Sequence, residues 1–175
     1  MAAPQAAGAT APTAAEIEND FLNNITGVIT PPEPEPTFDA ATEHAISTLR
    51  PDLQALAHQH IFTLKQAAVD ARISWGGRPA SVQAKLYAQG RTAPGQIVTN
   101  AQAGTSAHNY GAAYDIAIFG PNGYQGGGDA YTVLGPAAAP PGVDWGNNIP
   151  GFPKGDLGHY QLPNWQSLPN LTLIP

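Results

Sequence analysis

The feature that most restricts the fold is a short apolar segment that contains one acid. Residues 113–119 read Ala-Tyr-Asp-Ile-Ala-Ile-Phe, which is typical of a β-strand. In a strand, Asp115 points to the face opposite Ile116 and Ile118. A carboxylate that faces inward is costly unless it is paired or bound to a metal ion. A solvent-facing strand acid is the alternative, and the pattern leaves both interpretations open.

Two histidines elsewhere in the chain could complete a metal site with Asp115. His108 lies among turn-forming residues, so it is predicted to be on a loop. His159 begins a short predicted strand, three residues after Asp156. Two imidazoles and a carboxylate make a three-ligand zinc set that leaves a fourth position open for water, and Asp156 is placed to accept that water's proton. Taken singly, these residues could be a surface histidine, a partly buried histidine and a turn-forming acid.

The composition limits both the ligands and the partners of such a site. The 175 residues include no cysteine, so thiolate ligands and disulfides are excluded. Residues 1–38 carry −5 of the net charge of −6, and residues 39–175 are almost neutral. A nucleic-acid-binding protein would show a basic face, which this chain lacks. No apolar run reaches the length of about 18 residues that predicts a membrane span.

The chain is predicted to consist of an acidic, Ala/Pro-rich extension at 1–38 and a domain at 39–175. In the extension, a capping-box pattern and apolar residues at helical spacing predict a short amphipathic helix over about 14–26. Its apolar stripe could pack on the domain. Alternatively, residues 13–29 could dock on a partner, such as a phage or injection-device component. Residues 31–36 form a stiff proline-rich linker.

The first helix of the domain is predicted to begin near Pro51, because proline suits the first helical turn. On its apolar face His60 is expected to be a hydrogen-bonded core histidine. The other residues of the predicted buried face are Leu53, Leu56, Ala57, Ile61, Leu64 and Ala68.

A strand at residues 73–75 is predicted to lead to Arg78, and a second helix to run over 79–89. The side chains expected to face the core are those of Val82 and Leu86, and those expected to face the cleft are Gln83 and Tyr87. For the second pair, simple packing is the alternative. For Arg78, the alternative is an ion pair with Asp70 or Asp52.

A series of motifs between Gly77 and Asp115 resembles a known family. The stretch Leu86-Tyr-Ala-Gln-Gly-Arg-Thr92 is followed by Pro94-Gly95, Val98-Thr-Asn-Ala101 and Ser106-Ala-His108-Asn-Tyr-Gly111-Ala-Ala-Tyr-Asp115. Their order is similar to that in the zinc D-alanyl-D-alanine carboxypeptidases and L-alanyl-D-glutamate endopeptidases, which include vancomycin-resistance D,D-peptidases and phage endolysins. The first stretch is typical of the endopeptidase branch, and the resemblance runs from about Arg50 to Leu162.

The resemblance implies a role for each matched position. The implied ligands of one zinc ion are His108, Asp115 and His159, and the implied general base is Asp156. Arg78 would hold the substrate carbonyl or the developing oxyanion. The residues expected to line the substrate site are Ser106, Gln83 and Tyr87.

The fold that we expect is α+β, of the hedgehog/D,D-peptidase type, with a small antiparallel sheet of about four strands and two or three helices. The function that the resemblance implies is zinc-dependent cleavage of peptidoglycan stem peptides, and the motif branch favours an endolysin-like L-alanyl-D-glutamate endopeptidase. A D-alanyl-D-alanine carboxypeptidase, with Arg91 or Lys85 gripping the free carboxylate, is the alternative enzyme. A non-catalytic, zinc-containing wall-binding module is the alternative from another class.

Two further features bear on these expectations. Relatives often carry an aromatic residue before the arginine, where this chain has Gly77. The Gly- and Pro-rich segment 120–141 follows the strand that carries Asp115, and it is expected to border the cleft as a loop. The amino terminus lacks the pattern of a secretory signal, so the expected route is from the cytoplasm, by release or delivery, to the cell wall.

Overall fold

A computed structural model describes residues 38–150 and 155–175 of the chain. The predicted helix over about 14–26 and the proline-rich segment 31–36 lie outside the described residues. The predicted boundary between residues 38 and 39 therefore stays a prediction. Within the two described ranges, no helix combines the length and the apolar character that a bilayer-spanning helix needs.

Four α-helices are present in the described part of the chain. They are α1 (Ala40–Ser47), α2 (Pro51–Gln66), α3 (Ala80–Ala88) and α4 (Gly135–Ala138). The Asp39 side chain caps α1 by accepting hydrogen bonds from two backbone N–H groups of its first turn. Pro51 begins α2, as its suitability for a first turn predicts.

Five strands form one sheet in which every paired strand is antiparallel. They are β1 (Asp70–Trp75), β2 (Ala113–Gly120), β3 (Gly123–Gln125), β4 (Asp144–Trp145) and β5 (His159–Gln161). The order is β1-β2-β5-β4, and β3 pairs with the last residues of β2. The predicted α+β class is therefore confirmed, with one strand and one helix beyond the expected numbers.

The register of the sheet places one residue of each neighbouring strand opposite Asp115. Asp115 lies opposite Trp75 on β1 and opposite His159 on β5. Residues that face each other in this way have Cβ atoms about 4.5–5.5 Å apart. On the other face of β2, Ile116 and Ile118 are buried in the core, as the alternation of a strand predicts.

The buried face of α2 supplies much of the core. The fully buried residues of this helix are Leu53, Ala57, His60, Ile61 and Leu64. Burying a side chain such as leucine or isoleucine contributes about 1.5–3 kcal/mol. His60 donates from Nε2 to the Gly135 carbonyl and accepts at Nδ1 from the Tyr114 hydroxyl, each at 2.8 Å, so the prediction of a satisfied core histidine is confirmed. Ala68 is exposed beyond the end of the helix, where the chain turns at a φ of 58°, so its predicted burial is wrong.

The faces of α3 differ from the predicted ones. Gln83 is fully buried, whereas Leu86 is half-buried and lines a cavity. Gln83 tolerates burial because its amide is bonded at both ends: Oε1 accepts from Arg78, and Nε2 donates to the Thr99 hydroxyl and the Ala101 carbonyl. Hydrogen bonding therefore decides which face of α3 turns inward.

The segment 120–141 is more regular than the sequence suggests. It contains β3, a π-helical turn at Ala130–Leu134, and α4. Tyr131 is buried, and its hydroxyl accepts a hydrogen bond from the Ile118 N–H at 2.8 Å. The segment thus packs on β2, beside the strand residues that carry the candidate site.

Candidate metal centre and cleft

Three side chains that could hold a metal ion meet beside β2. His108 Nε2, Asp115 Oδ1 and His159 Nδ1 lie 3.1–3.3 Å from one another. Ligands of a tetrahedral zinc ion, with bonds of about 2.0–2.2 Å, are about 3.3–3.6 Å apart. The three predicted ligands are therefore brought together, and the group could bind a metal ion.

The outer nitrogen of each imidazole is already used as a hydrogen-bond donor. His108 Nδ1 donates to the Gly76 carbonyl at 2.8 Å, and His159 Nε2 donates to Gln161 Oε1 at 3.0 Å. A neutral imidazole that donates from one nitrogen presents a lone pair on the other. Both lone pairs face the Asp115 carboxylate, so three electron-rich atoms converge where a cation would sit. Outer hydrogen bonds of this kind are the usual support of metal-binding histidines.

His108 reaches the group from a single 3₁₀ turn at Ala107–Tyr110. The backbone N–H of Arg78 donates to the His108 carbonyl at 2.8 Å, which ties this turn to the end of β1. Gly111 ends the turn at a φ of 64°, and an added Cβ would press on the backbone of Arg50. The turn-forming residues around His108 therefore fix its approach.

Asp115 faces the imidazoles with one oxygen and an arginine with the other. Its Oδ2 lies 3.5 Å from Arg78 Nη2. Burial acts to raise the pKa of Asp115, but positive charge on the His108 and His159 rings, when these are protonated, holds that pKa well below its usual range. Burial acts to lower the pKa of His159, and the Asp115 carboxylate raises it. The group thus keeps an ionised carboxylate that attracts a cation.

Asp156 stands beside the candidate metal group and is not one of its three members. The residue is exposed, yet its carboxyl interacts electrostatically with both histidines and with Asp115. Desolvation, together with the Asp115 charge, raises the pKa of Asp156. Trp145 Nε1 donates to the Leu157 carbonyl at 2.9 Å, which fixes the backbone next to Asp156.

Arg78 is nine-tenths buried next to the group. Its Nη1 donates to Gln83 Oε1 at 3.0 Å, and its guanidinium carbon lies 4.8 Å from the centroid of the Trp75 ring. Its Nε has no hydrogen-bond partner among the described residues, and such an unpaired buried donor is rare. The alternative ion pairs are not observed, because Asp70 and Asp52 pair with Arg72 and Arg50.

Two cavities meet at Asp115 and Asp156. We call the first the arginine cavity; it measures about 520 Å³, and its wall includes Arg78, Ser106, His108, His159, Gln161 and Trp165. We call the second the aromatic cavity; it measures about 480 Å³, and its wall includes Ser74, Trp75, Tyr124, Gly126, Tyr131 and Gly155. The candidate metal group therefore lies in a cleft with room in two directions.

Of the three residues predicted to line the substrate site, one lines a cavity of the cleft and two do not. Ser106 lines the arginine cavity. Gln83 lies behind Arg78 and holds its guanidinium, and Tyr87 belongs to the wall of neither cavity. The Tyr87 hydroxyl instead accepts from Gln102 Nε2 at 3.4 Å.

Two residues that line the cavities, Gln161 and Trp75, are not among the site residues that the sequence predicts. The signal for Gln161 is its position two residues after His159, because alternate residues of a strand share a face. Trp75 lies at the end of the strand that leads to Arg78, and nothing in its neighbourhood of the sequence marks it as part of a cleft.

Gly77 has no room for the aromatic residue that relatives often carry there. An added Cβ would meet the Thr48 carbonyl oxygen and the Ile174 Cδ1 atom. Ile174 is fixed by two backbone hydrogen bonds, from its own N–H to the Asn109 carbonyl at 2.7 Å and from the Ala80 N–H to its carbonyl at 2.8 Å. The carboxyl-terminal segment of this chain thus occupies the space beside Gly77.

The fold and the site together define a small α+β protein with a candidate three-ligand metal centre in an open cleft. No family model matches the chain. Over 71 residues the chain is 45% identical to the peptidoglycan L-alanyl-D-glutamate endopeptidase CwlK of Bacillus subtilis (strain 168), a match that covers 38% of this chain and 42% of CwlK. Its fold is similar to that of the Serratia marcescens L-Ala D-Glu endopeptidase ChiX, with a TM-score of 0.51 and 22% identity over 73% of this chain and 90% of that chain.

These comparisons confirm the resemblance that the motifs between Gly77 and Asp115 indicate. The match spans less than half of the length of CwlK, and the likeness to ChiX at 22% identity speaks for the fold alone. The activity of this chain is therefore argued below as a proposal.

Proposed function

We propose that this domain is a zinc-dependent peptidoglycan peptidase that cuts stem peptides at the L-alanyl–D-glutamate bond. The observation that carries the proposal is the convergence of two oriented imidazoles and a carboxylate in a cleft that also holds Asp156 and Arg78. Two similar proteins bear the name of this activity, which supports the choice of bond.

Zinc suits the donor set because two imidazole nitrogens and one carboxylate oxygen, with a further position open, are typical of catalytic zinc sites. A bound zinc ion supplies a Lewis acid beside the substrate carbonyl. The hydrogen bonds from His108 to Gly76 and from His159 to Gln161 hold both rings in the orientation that such an ion requires. Iron(II) oxygenases use a similar donor set, so metal analysis is part of the test.

The roles that we propose for the other residues follow from their positions. Asp156 takes a proton from the attacking water and passes it to the leaving amine, for which a raised pKa is suitable. Arg78 lines the arginine cavity beside Asp115, and it donates to the substrate carbonyl oxygen. Its other contacts, to Gln83 and Trp75, hold the guanidinium in place.

The experiment that tests these roles separates metal binding from turnover. We expect Asp156→Ala to retain zinc and to lose turnover, and His159→Ala to lose both. Zinc content is measured on the purified proteins, and turnover by mass analysis of digested muropeptides. Equal loss of zinc from the two variants would show that Asp156 is a ligand and not the base.

The cleft favours an endopeptidase over a carboxypeptidase. A carboxypeptidase needs a cation for the free carboxylate of its substrate, and Arg91 and Lys85 are absent from the walls of both cavities. The Arg91 guanidinium donates instead to the carbonyl groups of Tyr87 and Thr99. Release of D-alanine from muropeptides would support the carboxypeptidase, and binding to cell walls without any product would support a non-catalytic module.

We propose the cell wall as the place of action, and for residues 13–29 packing on the domain and docking on a partner stay alternatives. If residues 13–29 are a docking segment, deletion of residues 1–30 should leave both the melting temperature and the activity unchanged. A loss of stability on deletion would argue that the segment is part of the fold.

A further inference from the structure

We propose that the aromatic cavity binds the sugar unit to which a stem peptide is attached, and that the acidic half of the peptide lies in the arginine cavity. This orientation rests on the proposed function, because it specifies how the proposed substrate lies in the cleft. It assigns a ligand to a cavity that no step of the proposed reaction uses.

The two cavities are continuous with each other beside the candidate metal group. They share Asp115 and Asp156, and their walls are otherwise different. A peptide whose scissile bond lies beside these two acids has room to extend into one cavity on its amino side and into the other on its carboxyl side. In peptidoglycan, the amino side of the L-alanyl–D-glutamate bond is short, because a single alanine joins it to the sugar.

Two aromatic rings in the wall of the aromatic cavity are exposed. Trp75 is 44% exposed and Tyr124 is 66% exposed. Such rings offer an apolar face with a polar edge, which complements the apolar face and the hydroxyl rim of a sugar ring. The cavity volume, about 480 Å³, is within the range of small-molecule sites.

Both rings are held in place without a ligand. Trp75 packs against the Arg78 guanidinium. Tyr124 makes an edge contact with Phe119, at 6.0 Å between centroids. A surface that is already ordered loses less entropy when it binds a ligand.

The two cavities differ in the charged side chains of their walls. Among the described residues, the only charged side chains in the wall of the aromatic cavity are Asp115 and Asp156, whereas the arginine cavity contains Arg78. Because both cavities contain the two acids, the difference between them is Arg78, which makes the arginine cavity the more favourable place for the glutamate carboxylate of a stem peptide. The sugar ring, which is uncharged where the peptide joins it, meets no repulsion from these acids.

Gly126 leaves space for a ring in the wall of the aromatic cavity. An added Cβ at Gly126 would meet no atom within 4 Å, so the wall is open at this point. On the opposite part of the wall, the Ser74 hydroxyl donates to the Asp115 carbonyl at 3.2 Å and forms a polar edge.

The test compares two substrates that contain the same scissile bond. One is a muramoyl tripeptide with its sugar, and the other is the same tripeptide with an acetyl group in place of the sugar. We expect the zinc-loaded wild-type protein to prefer the first in kcat/KM, and Tyr124→Ala to reduce this preference about tenfold, the size of one good aromatic contact. Tyr124→Phe keeps the ring and should keep most of the preference.

Phe62→Ala is the matched control, because Phe62 is 42% exposed and lines neither cavity. The preference should be unchanged in this variant. Calorimetric binding of the muramoyl peptide to the Asp156→Ala protein, with and without Tyr124→Ala, gives a second readout that does not depend on turnover. Weaker binding in the double variant supports the sugar site.

Equal cleavage of both substrates by the wild-type protein would overturn the sugar site and leave the proposed function standing. An equal fall for both substrates in Tyr124→Ala would also overturn it, because the cavity would then hold peptide. Failure to cut either substrate would overturn the proposed function and, with it, the orientation.

Discussion

His60 makes the acid stability of this domain depend on one buried imidazole. The residue is fully buried, donates from Nε2 to the Gly135 carbonyl and accepts at Nδ1 from the Tyr114 hydroxyl. The Tyr160 ring packs edge-on against it at 4.5 Å between centroids. Burial lowers the pKa of His60 from 6.5 to about 4. Protonation would turn the accepting nitrogen into a donor that faces a hydroxyl already used as a donor, so the fold holds the neutral form.

The size of the effect follows from the lowered pKa. The unfolded chain binds this proton more strongly than the folded one, so the stabilisation is complete above pH 6.5 and is lost as the pH falls toward 4. The full effect is about 3 kcal/mol. Roughly 2 kcal/mol is already lost at pH 5, which lowers the melting temperature of a domain of this size by about 6 °C.

The assay is thermal unfolding between pH 5 and pH 7.5, in the presence of a chelator so that metal binding does not contribute. His60→Gln replaces the imidazole with an amide that does not titrate. We expect this variant to be less stable than the wild type at pH 7.5 and to lose less stability on acidification. His44→Gln is the matched control, because it makes the same change at an exposed position of α1. Parallel curves for His60→Gln and the wild type would refute the reasoning.

Three other substitutions test the site and its supports. Gln161→Leu should weaken zinc binding in calorimetry by about 10- to 100-fold, because it removes the acceptor that orients His159, and Gln161→Glu should retain most of the affinity. Arg78→Lys should lower kcat/KM by about 100- to 1,000-fold at unchanged zinc content, and a loss of zinc would contradict a role toward substrate. Gly76→Ala should cost about 1–3 kcal/mol in denaturant unfolding, since the added carbon meets the backbone of α1, whereas Gly127→Ala enters open space and should cost less.

The sequence predicts the parts of the site that depend on local geometry. The alternation of residues 113–119 correctly separates Asp115 from Ile116 and Ile118, because the period of a strand is fixed. The turn-forming residues near His108 predict a loop, and His108 lies in a single 3₁₀ turn. The register that sets Asp115 opposite His159 is a choice between strands 44 residues apart, which neither segment encodes alone.

The parts that the sequence misses depend on polar partners far along the chain. The helical spacing of α3 assigns Gln83 to the cleft, yet its amide is buried because Arg78 and the backbone of Ala101 satisfy it. Gly- and Pro-rich composition predicts a loop over 120–141, yet the Tyr131 hydroxyl bonds the backbone of β2 and orders this segment. In both cases a single side chain finds a hydrogen-bond partner that periodicity does not reveal.

The two oxygens of the Asp115 carboxylate contact different groups, and this arrangement would link ion binding to substrate binding. One oxygen faces the two imidazoles and the other faces Arg78, so an ion that draws charge toward the first loosens the attraction between the second and the guanidinium. Ion binding would then release the arginine to grip a substrate oxygen. Because coupling between two binding events is reciprocal, a substrate held by the proposed Arg78 contact would then tighten ion binding by the same factor. The affinity of the protein for the ion would then be highest while a substrate is bound.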